Sequence, residues 1–125
     1  MAIRVYVCDK ADYEKLKNLL EYDPYLDTSL GAEQLAKLRG DRYANIIFAR
    51  QSYTIKDGAL IGMDAGKYYL YLKAPEEFFQ GAEEKLSKEI QSCKRADAET
   101  ERKIISIVEE DESKGNYGVG LVLGG

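Results

Sequence analysis

The feature that most constrains this chain is a strand that stops at a proline. From Lys67 to Lys73, residues Tyr68, Leu70 and Leu72 alternate with Lys67, Tyr69, Tyr71 and Lys73, the two-residue period of a β-strand. Pro75 follows, and its fixed φ and missing N–H end a ladder and suit the first turn of a helix. Phe79, Ala82, Leu86 and Ile90 then recur at offsets of three and four, an apolar helical stripe facing a core. Gly81 inside that helix costs about 1 kcal/mol relative to alanine, so it requires a reason. Upstream, the apolar runs Ile46–Ala49 and Ala59–Met63 flank Asp57-Gly58, and a second turn at Asp64-Ala65-Gly66 leads into the Lys67 strand. Asp-Gly between such runs is a hairpin signal. The stretch from Tyr43 to Lys73 therefore predicts a three-strand antiparallel meander that feeds a helix.

The flanking segments fit around that centre. Ile3 to Cys8 reads as a strand with Ile3, Val5 and Val7 on one face. Asp9 is placed to cap a helix running to about Tyr22, with Tyr13, Leu16, Leu19 and Leu20 as its apolar stripe. Asp23-Pro24 ends it. Ser29 is placed to cap a second helix, with Leu35 and Leu38 inward and Gly40 as its stop. Ser92 to Ala98 is polar and reads as a linker or turn. Between residues 99 and 112, Ile104, Ile105, Ile107 and Val108 fit a helical stripe or a buried strand. The acidic run Glu109 to Glu112 is unfavourable at a helix C-terminus, and the β-branched density favours a strand over Lys103–Val108. Tyr117 to Leu123, with Gly118 and Gly120, predicts a last strand with one face nearly bare.

The length suits one domain over residues 1–125, large enough to bury a core. The fold class is α/β of the α+β kind: a mixed sheet with a central antiparallel meander and the order β-α-α-β-β-β-α-β-β, with a ferredoxin-like arrangement as the alternative. The net charge of −4 is uneven, since residues 1–75 carry 11 basic against 10 acidic side chains and residues 76–125 carry 7 against 12. That balance argues against charge-driven binding to a nucleic-acid backbone or an anionic membrane. With no histidine, histidine-based triads and zinc sites are excluded, and two cysteines alone do not make a zinc site. No metal site is expected. No signal peptide and no apolar run of membrane-spanning length stand in the sequence, which predicts a cytoplasmic protein with free thiols.

The element order, with a meander entering a helix through a proline, resembles the GNAT acetyltransferase superfamily. Asp57 to Gly62 is similar to the hairpin between that family's second and third strands. Leu70 to Leu86, with Pro75, Glu76, Gly81 and Leu86 at matching spacing, resembles its cofactor motif. The resemblance implies acetyl-CoA as cofactor, its pyrophosphate held by amides at a helix N-terminus. Carried onto this sequence, the cofactor-binding positions are Leu72, Lys73, Gln80, Gly81 and Ala82. Tyr117 would be the general acid, and Glu77 or a water the base. The motif departs from the family at two positions. Phe78 stands where a basic residue or glutamine is usual, and Glu83 where a small residue is usual, with Glu76, Glu77 and Glu84 adding negative charge nearby.

Two uses follow. One is an acetyl-CoA-dependent N-acyltransferase. The other, favoured by those departures, is a non-catalytic binding or interaction protein of the same architecture acting as a homo-oligomer, with a protein or small molecule as its other possible partner. Tyr6, Tyr69, Tyr71 and Val119 are the expected interaction residues, because tyrosine gives large, stiff contact surface and glycine-flanked strands admit close approach. Tyr6, Tyr69 and Tyr71 interleaved with Arg4, Lys67 and Lys73 would also make a stacking platform for single-stranded nucleic acid if they shared a face, a weaker alternative. Cys8 and Cys93 read as small buried hydrophobes.

Overall fold

The computed structural model describes the backbone of residues 1–122 and side chains as far as Lys114. Its centre is the alternating strand named above, now β3 (Lys67–Ala74), which pairs antiparallel on both sides. On one side lies β1 (Ala2–Asp9), in register from Ala2↔Ala74 to Asp9↔Lys67. On the other lies β2 (Ser52–Asp57), from Ser52↔Lys73 to Asp57↔Tyr68. A two-residue strand, β4 (Lys94–Arg95), closes the far edge against β1. The sheet order is β2-β3-β1-β4. Helices α1 (Tyr13–Glu21) and α2 (Ala32–Leu38) separate β1 from β2, and α3 (Phe78–Glu89) separates β3 from β4. Two interlocked split β-α-β units of this kind make the ferredoxin-like arrangement, so the α+β class holds. The sheet is wholly antiparallel rather than mixed.

Each face of the sheet is covered by helix. Cross-strand partners share a face, so Tyr6 (opposite Leu70) and Cys8 (opposite Tyr68) join Leu70 and Leu72 against Leu16 and Leu20 of α1 and Phe79, Ala82 and Leu86 of α3. The stripe read from the sequence is the packed face of α3. Pro75 leads into that helix through a turn, with Phe78 N donating to Pro75 O at 3.0 Å. Val5, Tyr69 and Tyr71 form the opposite face, against Ile104 and Val108 of the last helix, α4 (Ala98–Val122).

That helix corrects two expectations: Lys103–Val108 and Tyr117–Val122 are helical, not strands, while Leu123 lies outside the described residues. Asp97 fixes the start, its Oδ1 accepting from Thr100 N at 2.7 Å, and Ile104 and Val108, four apart, both point into the core. The acidic run Glu109–Glu112 stands inside the helix rather than at its C-terminus, so the dipole penalty that favoured a strand does not apply. Val119 lies in α4 by its backbone, but its side chain, like that of Tyr117, lies outside the described residues.

The meander is also corrected, to a two-strand hairpin. Ile46–Ala49 is not a strand: Ile47 and Phe48 are buried where the chain enters a 3₁₀ turn over Phe48–Arg50. Ala59–Met63 is part of the β2–β3 connection, and Leu60 is 83% exposed. The strand is the less apolar Ser52–Asp57, whose Tyr53 and Ile55 face the core. Asp57 Oδ1 accepts from Ala59 N at 2.9 Å and opens a 3₁₀ turn. The positive φ falls on Gly62 (72°), not on Gly58. Likewise Ser29 does not cap α2; it belongs to a turn around Asp27, and Gly31 stands at the cap position.

Candidate functional site

Between α1 and β2 the chain makes a long excursion, residues 22–50, and aspartates shape it. Asp23 Oδ1 accepts from Tyr25 N at 3.0 Å, Asp27 Oδ1 from Ser29 N at 2.9 Å, and Asp41 Oδ1 from Tyr43 N at 3.0 Å. Each side chain supplies a turn's hydrogen bond, so a polar stretch holds a defined path. Arg50 ties the excursion's two ends together through Asp23 at 2.8 Å. Asn45 donates to Asp41 O at 2.7 Å and to Leu38 O, fastening the end of α2 to the 41–46 turn.

The excursion docks on one face of α3. Gly81, Lys85 and Glu89 are spaced four apart and therefore stand above one another. A Cβ on Gly81 would lie 2.4 Å from Ile46 Cδ1. The glycine lets Ile46 pack directly against the helix, where a Cβ would make the Ile46 side chain shift. One turn on, the half-buried Lys85 ammonium donates to Tyr43 O at 3.1 Å and Ile46 O at 3.0 Å and lies 4.9 Å from the centre of the Tyr43 ring. Glu89 accepts from the Tyr43 hydroxyl at 2.7 Å.

These contacts leave a cleft of about 410 Å³ between the excursion, α1 and α3. Leu19, Pro24 and Leu30 supply apolar walls, Leu38 of α2 closes one side, and Tyr43, Lys85 and Glu89 bring the polar groups. Volume and lining are those of a small-ligand site. Burial lowers the Lys85 pKa, and the Glu89 and Asp41 charges oppose that shift. Among the described residues no carboxylate stands within 4.0 Å of Lys85; its partners are neutral carbonyls. The cleft therefore offers a half-buried ammonium without a direct carboxylate contact beside an apolar wall, with Glu89 in the same lining. α2 has no buried residue of its own, so the wall that carries Leu38 is lightly held.

The residues named from sequence scatter. Glu77, Gln80 and Gly81 come together at a second, wider hollow of about 610 Å³ on the other side of Ile46, which Glu84 also lines. Leu72 and Ala82 are core residues. Leu72 and Lys73 lie in the interior strand, each with register partners on both sides, so they sit in the ladders rather than at an open end of the sheet. Tyr6, Tyr69 and Tyr71 are 2%, 4% and 2% exposed. They do not share a face, because register sets Tyr6 opposite Leu70 and Val5 opposite Tyr71. As placed, none offers an association surface or a stacking platform. Tyr6 instead donates to Glu83 Oε2 at 2.8 Å, which Arg4 also contacts at 2.7 Å.

Sequence reasoning missed Lys85, Tyr43 and Glu89. The available signal was the Gly81–Lys85–Glu89 spacing beside the apolar stripe. Among the described residues no cluster of acidic or cysteine side chains could hold a metal ion, and no helix is long and apolar enough to cross a membrane. Comparisons of the chain with family models, with curated proteins and with solved structures return no match.

Proposed function

We propose that this chain is a binding domain whose ligand is a small molecule with an apolar body and an anionic head, seated in the cleft between the 22–50 excursion and α3. The observation that carries this reading is the Lys85 ammonium, half-buried and, among the described residues, without a carboxylate within 4.0 Å, in the lining of a largely apolar cleft. A carboxylate head would give Lys85 the direct ion pair that the more distant Glu89 and Asp41 do not, and the tail would cover Leu19, Leu30 and Leu38. The acyl-CoA reading draws less support: the Leu72 and Lys73 amides belong to an interior strand, Ile46 occupies the approach to Gly81, and Glu77 and Glu84 line the adjoining hollow.

The test is calorimetric titration with a medium-chain fatty carboxylate and with the alcohol of equal length. A charge-assisted hydrogen bond contributes about 1.5–3 kcal/mol, so the carboxylate should bind at least tenfold more tightly, and Lys85→Met should remove that difference. Equal affinities for acid and alcohol would refute the anionic head. No saturable binding of either would refute the cleft as a ligand site.

A second reading, homo-oligomerisation, keeps one specific support. β2 is an edge strand of six residues whose outer side has no partner among the described residues, and open edges accept another strand. Two copies joined through β2 about a two-fold axis would give a dimer by light scattering, broken by Thr54→Pro. A monomer at high micromolar concentration would remove it.

A further inference from the structure

The β1–β4 ladder has a consequence for the two cysteines. Its pairs are Tyr6↔Arg95 and Val7↔Lys94, and the same register continued one residue ahead of β4 sets Cys8 opposite Cys93. A backbone bond on one side and a backbone-to-side-chain bond on the other bracket that position. Ala96 N donates to Val5 O at 2.9 Å, and Asp9 N donates to Ser92 Oγ at 3.0 Å. Hydrogen-bonded positions in an antiparallel ladder alternate, so Val5, bonded to Ala96, sets residues 5 and 7 as the bonded positions and Cys8–Cys93 takes the non-hydrogen-bonded type. In agreement, Cys93 N turns away to Ile90 O at 3.0 Å. Side chains are closest at such sites, with Cα atoms about 4.5 Å apart, inside the roughly 4.4–6.8 Å range of disulfides. Both side chains belong to the same core cluster, at 2% and 3% exposure, and both are free thiols.

We infer that Cys8 and Cys93 are a redox pair, convertible in the folded chain to an intramolecular disulfide that joins the central strand β1 to the edge strand β4. Burial raises the two thiols to about 11 and about 12, so both are protonated at neutral pH and shielded from casual oxidation. Entry is through Cys93, because the strand it precedes is only two residues long and lies at the sheet edge. When that edge opens, Cys93 loses its proton and attacks one sulfur of a small disulfide RSSR, expelling RS⁻. The Cys8 sulfur then displaces the second RS⁻ from the mixed disulfide. Two protein thiols become one S–S bond, one RSSR becomes two RSH, and two electrons pass to the reagent.

The test uses the intact chain, held native in excess oxidised glutathione at pH 8, then alkylated and digested with trypsin. Free thiols should fall from two to none and the mass by two hydrogen atoms. Peptide Val5–Lys10 should be joined to Glu89–Lys94, and the thermal midpoint should exceed that of the reduced chain. Cys93→Ala should leave Cys8 unmodified and the midpoint unmoved by the oxidant. Thiols that persist, glutathione left on either cysteine, a bond between two chains, or pairing only in urea would each overturn the inference.

Discussion

Gly58→Ala is the substitution whose cost the structure fixes most directly. Gly58 is buried just after β2, and a Cβ there would stand 1.9 Å from Asp64 O and 2.9 Å from both Asp64 C and Lys67 O. All three atoms are backbone, so no rotamer change relieves the overlap. Ordinary contact begins near 3.4 Å, so the 58–66 connection must open by about 1.5 Å. The overlap falls on three backbone hydrogen bonds of the same connection: Ile61 N and Met63 N to Gly58 O, at 3.3 and 2.9 Å, and Lys67 N to Asp64 O at 3.1 Å. Losing two or three of them costs about 1 kcal/mol each. Overpacking adds about 1–3 kcal/mol, and the stiffer unfolded chain returns about 0.4–1 kcal/mol. The net loss is about 2–6 kcal/mol, a large share of the roughly 5–15 kcal/mol typical of a domain. Urea unfolding followed by circular dichroism measures it, with an unchanged slope as the sign that the unfolded state is the same. Gly62→Ala is the internal standard. It has φ 72° but nothing within 4 Å, so it should cost only about 1–2 kcal/mol. A Gly58→Ala variant within 0.5 kcal/mol of the parent, or no worse than Gly62→Ala, would refute the steric reasoning.

Three other outcomes follow from the packing and the ion pairs. Leu86→Ala, in the α3 stripe at 1% exposure, should lose about 2–5 kcal/mol in the same urea assay. Tyr71→Glu should unfold the chain rather than alter its association, because it places a carboxylate between β3 and α4; loss of cooperative thermal unfolding is the readout. Burial pushes Glu83 and Glu101 upward, but hydrogen bonds from Tyr6 and Arg4 to the first, and from Arg95 and Val5 N to the second, outweigh it and hold both below the usual carboxylate range. Depressed carboxylates stabilise the fold above their unfolded pKa, about 4.3, and that contribution disappears as pH falls through the folded values. Stability should therefore be level near neutrality and decline below about pH 4, with a shallower decline in Glu83→Gln.

Where side chains alternate or recur in one clean period, the fold was legible. β1, β3, α1 and α3 each formed near the expected place with the expected apolar side chains inward, although both faces of β1 and β3 are buried, one under α1 and α3 and the other under α4. The run from Ile104 to Val108 has apolar residues at spacings that suit either period. What decides it is the Asp97 cap and the length of helix beyond it, neither of which is visible in five residues. Asp57-Gly58 misled because Asp57 uses its side chain to start a 3₁₀ turn, a choice the dipeptide does not encode. The cleft was illegible for another reason: Tyr43 and Lys85 are 42 residues apart and meet where Ile46 packs beside Gly81. The cysteine pairing was hidden in the same way, since it follows from the β1–β4 register rather than from local pattern.

β1 sits in the middle of the sheet, yet its β3 partners come 58 to 72 residues later and β4 later still. Such separations give a high contact order, and loops that long must close before any rung of the ladder rewards them. During synthesis β1 must wait, apolar and unpaired, until β3 has left the ribosome, and Tyr69 and Tyr71 then wait for α4. A chain interrupted before Ala98 would display that tyrosine face to its neighbours, and is for that reason more prone to aggregate than the same chain with α4 in place.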